Sequence, residues 1–337
     1  MQIIEIQDLV KSYGPVEALQ GLNLKINEGS LFGLLGPNGA GKTTTLRIIC
    51  TLLSPDSGSV VVAGINAIKD PRAVRREIGY VAQEVAIDKI LTGRELLELQ
   101  GALYHLPFSE KNIRISELIN RLDMSKWIDR RCGTYSGGMR RKLDLASGLM
   151  HNPKLLVLDE PTVGLDIESR AIIWQFLKDL KDQGTSILLS THYLEEVESL
   201  AEEMAIIDNG RVIAQGGPQE LKEELGGDRV SLKVREFSNK IESDQIKKLV
   251  QSVIGVNQVV VNPSQGYSLN LVVEDLEVLP RLRKVVENAD YQVFSLTQSR
   301  ASLDDVYLQA TGRTLMDAEL QVSSQRDLKK ENKQSMR

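Results

Sequence analysis

The chain has 337 residues, 42% hydrophobic and 26% charged, with a formal net charge of −5 at pH 7. That length allows two domains of about 100–200 residues each. The acidic balance and a 4% aromatic share argue against nucleic acid as a partner, because such binding wants a clustered basic face or a stacking platform.

No apolar run reaches the ~18–20 residues that a membrane helix needs. The opening "MQIIEIQDLV" shows no basic region followed by an apolar core, so no secretory signal is expected. Cys50 and Cys132 form neither a disulfide framework nor a zinc set, and a reducing, cytoplasmic compartment is expected.

Residues 1–225 alternate strand and helix patterns. "IIEIQDLV", "SLFGLLG", "KLLVLDE", "TSILLST" and "MAIIDNG" read as strands. The middle three are nearly continuous apolar runs, as strands buried on both faces of a parallel sheet require. "GKTTTLRIICTLL" and "IESRAIIWQFLKDLKDQG" between them read as helices. The predicted class is α/β, with a mainly parallel sheet. A more helical insertion spans about 85–150; its "TGRELLELQGALYHL" opens with a capping box, Thr92 to Glu95, and carries Leu96, Leu99 and Leu103 on one face. After Gly226 and Gly227 the pattern changes. Residues 228–311 run strand, helix, strand, strand, helix, strand, which predicts a small α+β domain of the split βαβ type. Residues 312–337 are polar and mixed in charge, and a frayed tail is expected.

Three motifs carry chemistry. "GPNGAGKTT" comprises Gly36, Pro37, Asn38, Gly39, Ala40, Gly41, Lys42, Thr43 and Thr44. It follows an apolar strand and opens a helix, the setting a phosphate loop requires. Its glycines let backbone amides curl around phosphate oxygens, Lys42 reaches the β- and γ-phosphates, and the Thr43 hydroxyl suits Mg²⁺, so ATP and Mg²⁺ are the expected ligands. "LLVLDE" ends a strand on Asp159, placed for the Mg²⁺ shell, and Glu160, placed to orient or deprotonate water. "TYSGGMRR" sets Ser136, a good N-cap, before Gly137 and Gly138 at the mouth of a helix. Free amides and the positive end of the helix dipole make this a second anion site.

Taken in order, the phosphate loop, Gln83 after a strand, "YSGGM", "LLVLDE", "GLD" and His192 resemble the motif set of ATP-binding cassette (ABC) ATPases, over residues 1 to about 220. The resemblance implies two cassettes packed head to tail. Each ATP would lie between the phosphate loop of one and the Ser136–Gly138 helix of the other. By position, Tyr13 matches the aromatic that stacks on adenine, and Gln83 a residue that joins the Mg²⁺ shell and links to the partner domain. His192 matches a γ-phosphate contact. Asp166 matches the loop that meets the opposite cassette, though an Asp after Gly-Leu is also a ready cap for the next helix. Tyr135 and Met139 stand where that family usually has leucine and glutamine.

"TGRELLELQGALYHLP", "TYSGGMRRKLDLA" and "ASLDDVYLQATGR" resemble the drug-resistance exporter branch, similar to daunorubicin-resistance ATPases. Members of that branch work on the inner face of the cell membrane with a separate polytopic permease. A docking surface is then expected near Gln83, with Val85, Ile87, Ile90 and Leu91 as candidates, and the C-terminal domain is expected to steady the dimer or regulate closure. Two alternatives share the motifs. A soluble ABC ATPase acting on ribosomes or DNA usually carries two cassettes or a long coiled-coil insertion, and neither is found. An importer ATPase differs only in the branch-specific segments.

Overall fold

The computed structural model describes residues 1–236, 238–263 and 266–320. The chain divides into two compact units, the first being Met1–Gln215 and the second starting at Gly216.

In the first unit, β1 (Gln2–Tyr13) and β2 (Val16–Asn27) form a long hairpin, followed by β3 (Leu31–Leu35) and α1 (Lys42–Ile49). Next come β4 (Ser57–Val62), β5 (Ile65–Asn66), α2 (Pro71–Glu77) and β6 (Ile78–Val81). The helical stretch holds α3 (Gly93–Leu103), α4 (Phe108–Arg121) and α5 (Gly137–Leu149). β7 (Leu155–Asp159), α6 (Ile167–Asp182), β8 (Ser186–Thr191), α7 (Leu194–Leu200), β9 (Glu203–Asp208) and β10 (Arg211–Gly216) complete it.

Two sheets result. The larger has the order β10-β9-β3-β8-β7-β6, and the pairs β3–β8, β3–β9, β7–β8 and β6–β7 are parallel. The smaller, β2-β1-β4-β5, is antiparallel. The strand period of two sorts the central side chains onto two cores. Leu34, Leu155, Val157 and Leu188 join the antiparallel sheet and α1 on one face. Leu31, Leu156, Leu158, Ile187 and Leu189 join the helical stretch and α6 on the other. Every residue of β3, β7 and β8 is buried, which is why they read as unbroken apolar runs. Each core takes one free cysteine, Cys50 and Cys132, and both are buried.

α3 forms with the expected capping box of Thr92 and Glu95. Its inward face differs from the leucine stripe read in the sequence. Leu96 is half-buried and packs on the core as expected, but Leu99 and Leu103 are exposed, while Gly93, Leu97 and Gly101 are buried. The two glycines admit close neighbours, Tyr135 at Gly93 and Met150 at Gly101, so the helix packs along a groove with no hydropathy signal.

The second unit begins earlier than the Gly226–Gly227 pair, because α8 (Pro218–Glu224) contacts α11 (Leu303–Thr311). Between them lie β11 (Asp228–Lys233), α9 (Lys240–Gln251), β12 (Val256–Asn262), β13 (Ser268–Val273), α10 (Leu279–Glu287) and β14 (Ser295–Ser299). The antiparallel order β12-β13-β11-β14 is that of a split βαβ domain. Val230, Leu232, Ile246, Val250, Leu271 and Leu282 form its core. β14 starts later than the apolar "YQVFSL" suggests: Tyr291 and Val293 pack on the core, and pairing with β11 begins at Ser295. Residues 315–320, expected in a frayed tail, are helical with Leu315 and Ala318 buried. The Thr314 hydroxyl, bonded to Asp317, caps that turn. Residues 321–337 lie outside the described residues.

Candidate active site

The phosphate loop joins β3 to α1 and is braced from behind. A methyl group at Gly36 would sit 2.2 Å from the Ile207 carbonyl oxygen, so only hydrogen fits there. Gly41, the N-cap of α1, has φ +111° and faces Ala18 and Leu19 of β2, a backbone state L side chains rarely adopt. The Gly210 amide donates to the Ala40 carbonyl at 2.9 Å. The helix ladder starts at Thr45, whose amide bonds Gly41, so the amides before it stand at the helix mouth, where anions are favoured. Lys42 is buried along the loop, its Nζ donating to the carbonyls of Gly36 at 2.6 Å and Pro37 at 3.1 Å.

The end of β7 meets this loop. Asp159 Oδ1 accepts from Thr43 Oγ1 at 3.2 Å and from Ser190 Oγ of β8 at 2.6 Å. The chain then turns sharply, with Glu160 at φ +48°, an uncommon state for a non-glycine residue and one that clusters at functional sites. Its carboxylate is gripped on both oxygens. Gln83 Nε2 donates to Oε2 at 2.9 Å, His192 Nδ1 stands 3.1 Å from Oε1, and Lys42 Nζ lies 3.9 Å from Oε1. Burial pushes the Glu160 carboxyl up. The hydrogen bond and charge of His192, with the charge of Lys42, outweigh it and hold the group below the usual carboxylate range. The structure thus brings together Lys42, Thr43, Gln83, Asp159, Glu160 and His192.

The remaining candidates sit apart from this cluster. Ser136 is the N-cap of α5, accepting from the Met139 amide at 3.3 Å. A methyl group at Gly137 would meet nothing within 4 Å, so the helix mouth opens outward. Gly138 abuts Ser169 near the start of α6, whose N-cap is Asp166, bonded to the Ser169 amide at 2.7 Å. Tyr13 ends β1, half exposed, with the Lys11 ammonium 5.9 Å from its ring centre. Tyr135 is buried, its hydroxyl accepting from the Gly93 amide and lying 3.1 Å from the carbonyls of Trp127, Ile128 and Arg130. That departure from leucine fastens the helical stretch and leaves the α5 mouth as it is.

Two residues of the site went unread in the sequence. Ser190 supports Asp159 but sits inside an apolar strand run. Arg141 lies on the buried face of α5 and donates to the carbonyls of Asp159 and Glu160. Its spacing from Leu145 and Leu149, four and eight residues on, is the signal that could have shown it: a cation in phase with an apolar stripe.

Thr43, Asp159 and Gln83 offer oxygen ligands only, a hard donor set, and one carboxylate among them. That fits Mg²⁺, which is usually held by one or two carboxylates and by substrate phosphates.

A phosphate loop entering α1, carboxylates at the end of the neighbouring parallel strand and helices on the sheet make this the fold of a phosphate-loop ATPase. The family model described as "ABC transporter" matches residues 19–163. The daunorubicin resistance ATP-binding protein DrrA2 of Streptomyces coeruleorubidus is 39% identical over 316 residues, 94% of this chain and 97% of that protein. The Nod factor export ATP-binding protein I of Ralstonia nicotianae is 35% identical over 317 residues, 94% of this chain and 95% of its own length. Among solved structures, a dimeric ATP-binding cassette in a post-hydrolysis state, bound to ADP and Pi, matches with a TM-score of 0.59 at 27% identity, covering 64% of this chain and 98% of that one. The chain belongs to the ABC transporter family, as an ATP-binding subunit that hydrolyses ATP. No helix among the described residues is long and apolar enough to cross a membrane.

Proposed function

We propose that this chain powers an exporter: two cassettes close on two ATP molecules and drive a separate polytopic permease from the inner face of the membrane. The observation that carries the chemistry is the double grip on Glu160, held ionised beside the phosphate loop. Export as the direction rests on relatives whose names speak of drug resistance and Nod factor export.

In this reading the amides of Asn38, Gly39 and Gly41–Thr44 and the Lys42 ammonium bind the β- and γ-phosphates, and Tyr13 stacks on the adenine. Glu160 orients the water for in-line attack, and Gln83 and His192 keep its carboxylate aimed. As phosphoryl charge develops, Lys42, the loop amides and His192 stabilise it. Thr43, Asp159 and Gln83 would hold Mg²⁺, which would supply neutralising charge to the phosphates when bound. Ser136, Gly137 and Gly138 receive the γ-phosphate of the partner's ATP, and Asp166 borders the same face. ATP therefore favours the closed pair, and hydrolysis removes that preference.

The permease would seat on a groove of about 480 Å³ lined by Ala86, Ile87, Leu91, Leu96, Leu99 and Tyr104. Ile90 stands beside it, 76% exposed, and Val85 is half-buried. The second unit is assigned the steadying or regulation of the dimer.

The test is a pull-down of tagged Glu160→Gln, held with Mg·ATP, from detergent-solubilised membranes. One polytopic protein, lost when Lys42→Ala is added, supports the reading; ribosomes or nucleic acid in its place would overturn it.

A further inference from the structure

Arg141 is 3% exposed and stands in the interior of the first unit. Its Nε donates to the Pro161 carbonyl at 2.7 Å. One terminal nitrogen donates to the Ala82 carbonyl at 2.6 Å and lies 3.4 Å from the Asp144 carboxylate. The other donates to the carbonyls of Asp159 at 3.0 Å and Glu160 at 3.1 Å. A single planar cation therefore gathers three segments: the residue before Gln83, the turn bearing Asp159 and Glu160, and α5 itself. Burying a guanidinium is costly unless its donors are satisfied. Here four carbonyls and one carboxylate meet its fork of five donors. The need comes from the other side too. After β7 the backbone turns at Glu160, φ +48°, and the carbonyls of Asp159, Glu160 and Pro161 converge on this one group. Asp144, the anchor, also lines the groove described above.

We infer that Arg141 is a positioning residue for hydrolysis, clamping the Gln83 and Glu160 segments to the α5 helix so that the water-orienting carboxylate and the helix mouth at Ser136 keep one register. This rests on the roles proposed for Glu160 and Ser136. A bare hydrophobic side chain would fill the same space, but it would leave the carbonyls without donors and the two segments free to shift. A misplacement near 1 Å can cost about a hundredfold in rate. The Lys side chain brings a compact ammonium that cannot span four carbonyls as the planar fork does.

The experiment compares full-length variants by single-turnover hydrolysis of Mg·ATP, by affinity for a fluorescent ATP analogue and by circular dichroism. Arg141→Gln is expected to hydrolyse about a hundredfold more slowly, with nucleotide affinity within about threefold of the parent. Arg141→Lys recovers part of that rate. Asp144→Asn gives a smaller loss, and adding it to Arg141→Gln gives no further loss, since the two act on one group. Hydrolysis by Arg141→Gln at the parental rate would overturn the inference. So would a parallel fall of rate, affinity and folded fraction that Arg141→Lys fails to restore. If Arg141→Gln does not fold, parental rates in both Arg141→Lys and Asp144→Asn overturn it equally. Glu160→Gln serves as the control. A parental rate there removes the underlying assignment of Glu160, whereas a slow Glu160→Gln beside a fast Arg141→Gln removes the clamp alone.

Discussion

His192 Nδ1 stands 3.1 Å from Glu160 Oε1, reaching across from the end of β8 to the end of β7, its parallel neighbour in the sheet. The contact places the histidine on the carboxylate before any nucleotide is considered. It is also the first influence that offsets the burial of Glu160 and keeps its carboxyl below the usual range.

A pH dependence follows. With a lowered pKa, Glu160 is ionised at neutral pH, and what depends on the carboxylate is lost as pH falls through that lowered value. His192→Ala removes the leading offset to burial, so the pKa rises. The acid limb of the rate profile is expected to move to higher pH, as read from initial hydrolysis rates between about pH 4 and 9. An unmoved limb with a lower plateau would leave His192 acting on the phosphate only.

Glu160→Gln keeps the shape of the side chain and removes its charge. ATP affinity is expected to stay within about threefold, while hydrolysis falls by about 10²–10⁴, the range of a general base. A dimer that persists with ATP and disperses when ATP is withdrawn is the expected light-scattering result.

Gly36→Ala tests the fit of the loop against β9. Its methyl would sit 2.2 Å from the Ile207 carbonyl oxygen, and overpacking of this kind costs about 1–3 kcal/mol or more. Gly137→Ala meets nothing within 4 Å, so its stability should change by no more than about 1 kcal/mol, the scale of helix propensity. Urea unfolding of the two variants separates these outcomes.

α3 offers a paired test of its inward face. Leu97 is fully buried and Leu99 is 50% exposed. Leu97→Ala should lose about 2–5 kcal/mol, and Leu99→Ala should stay within about 0.5 kcal/mol. Leu99→Asp is then the cleaner probe of permease docking than Ile87→Asp, because Ile87 packs against the core of the helical stretch. Co-purification with the proposed permease should weaken for Leu99→Asp while the thermal midpoint holds.

The parallel strands were legible because burial on both faces leaves a run such as "LLVLD" with no polar interruption. The phosphate loop was legible because its glycines answer local demands, at Gly36 for space and at Gly41 for a left-handed backbone. What the sequence hid depends on partners far along the chain. β1 reads as a strand, yet nothing in its pattern assigns it to a separate antiparallel sheet. The leucines of α3 obey helical spacing, and Leu96 and Leu97 pack on the core, but the inward line is completed by Gly93 and Gly101, where small size matters and hydropathy is silent. Arg141 has as acceptors the carbonyls of residues 18–20 positions later and of Ala82, which no local pattern reveals.

The two cysteines, one in each core of the first unit, have a practical consequence. Burial pushes both thiols up from their ordinary acidity, and the thiolate is the reactive form. Neither Cys50 nor Cys132 should take up a maleimide while the chain is folded. A single cysteine introduced on the exposed rim of the α5 mouth would therefore carry a spin label or fluorophore alone, with both native cysteines left in place. Distances between two such labels across a cassette pair could then follow closure and release during turnover.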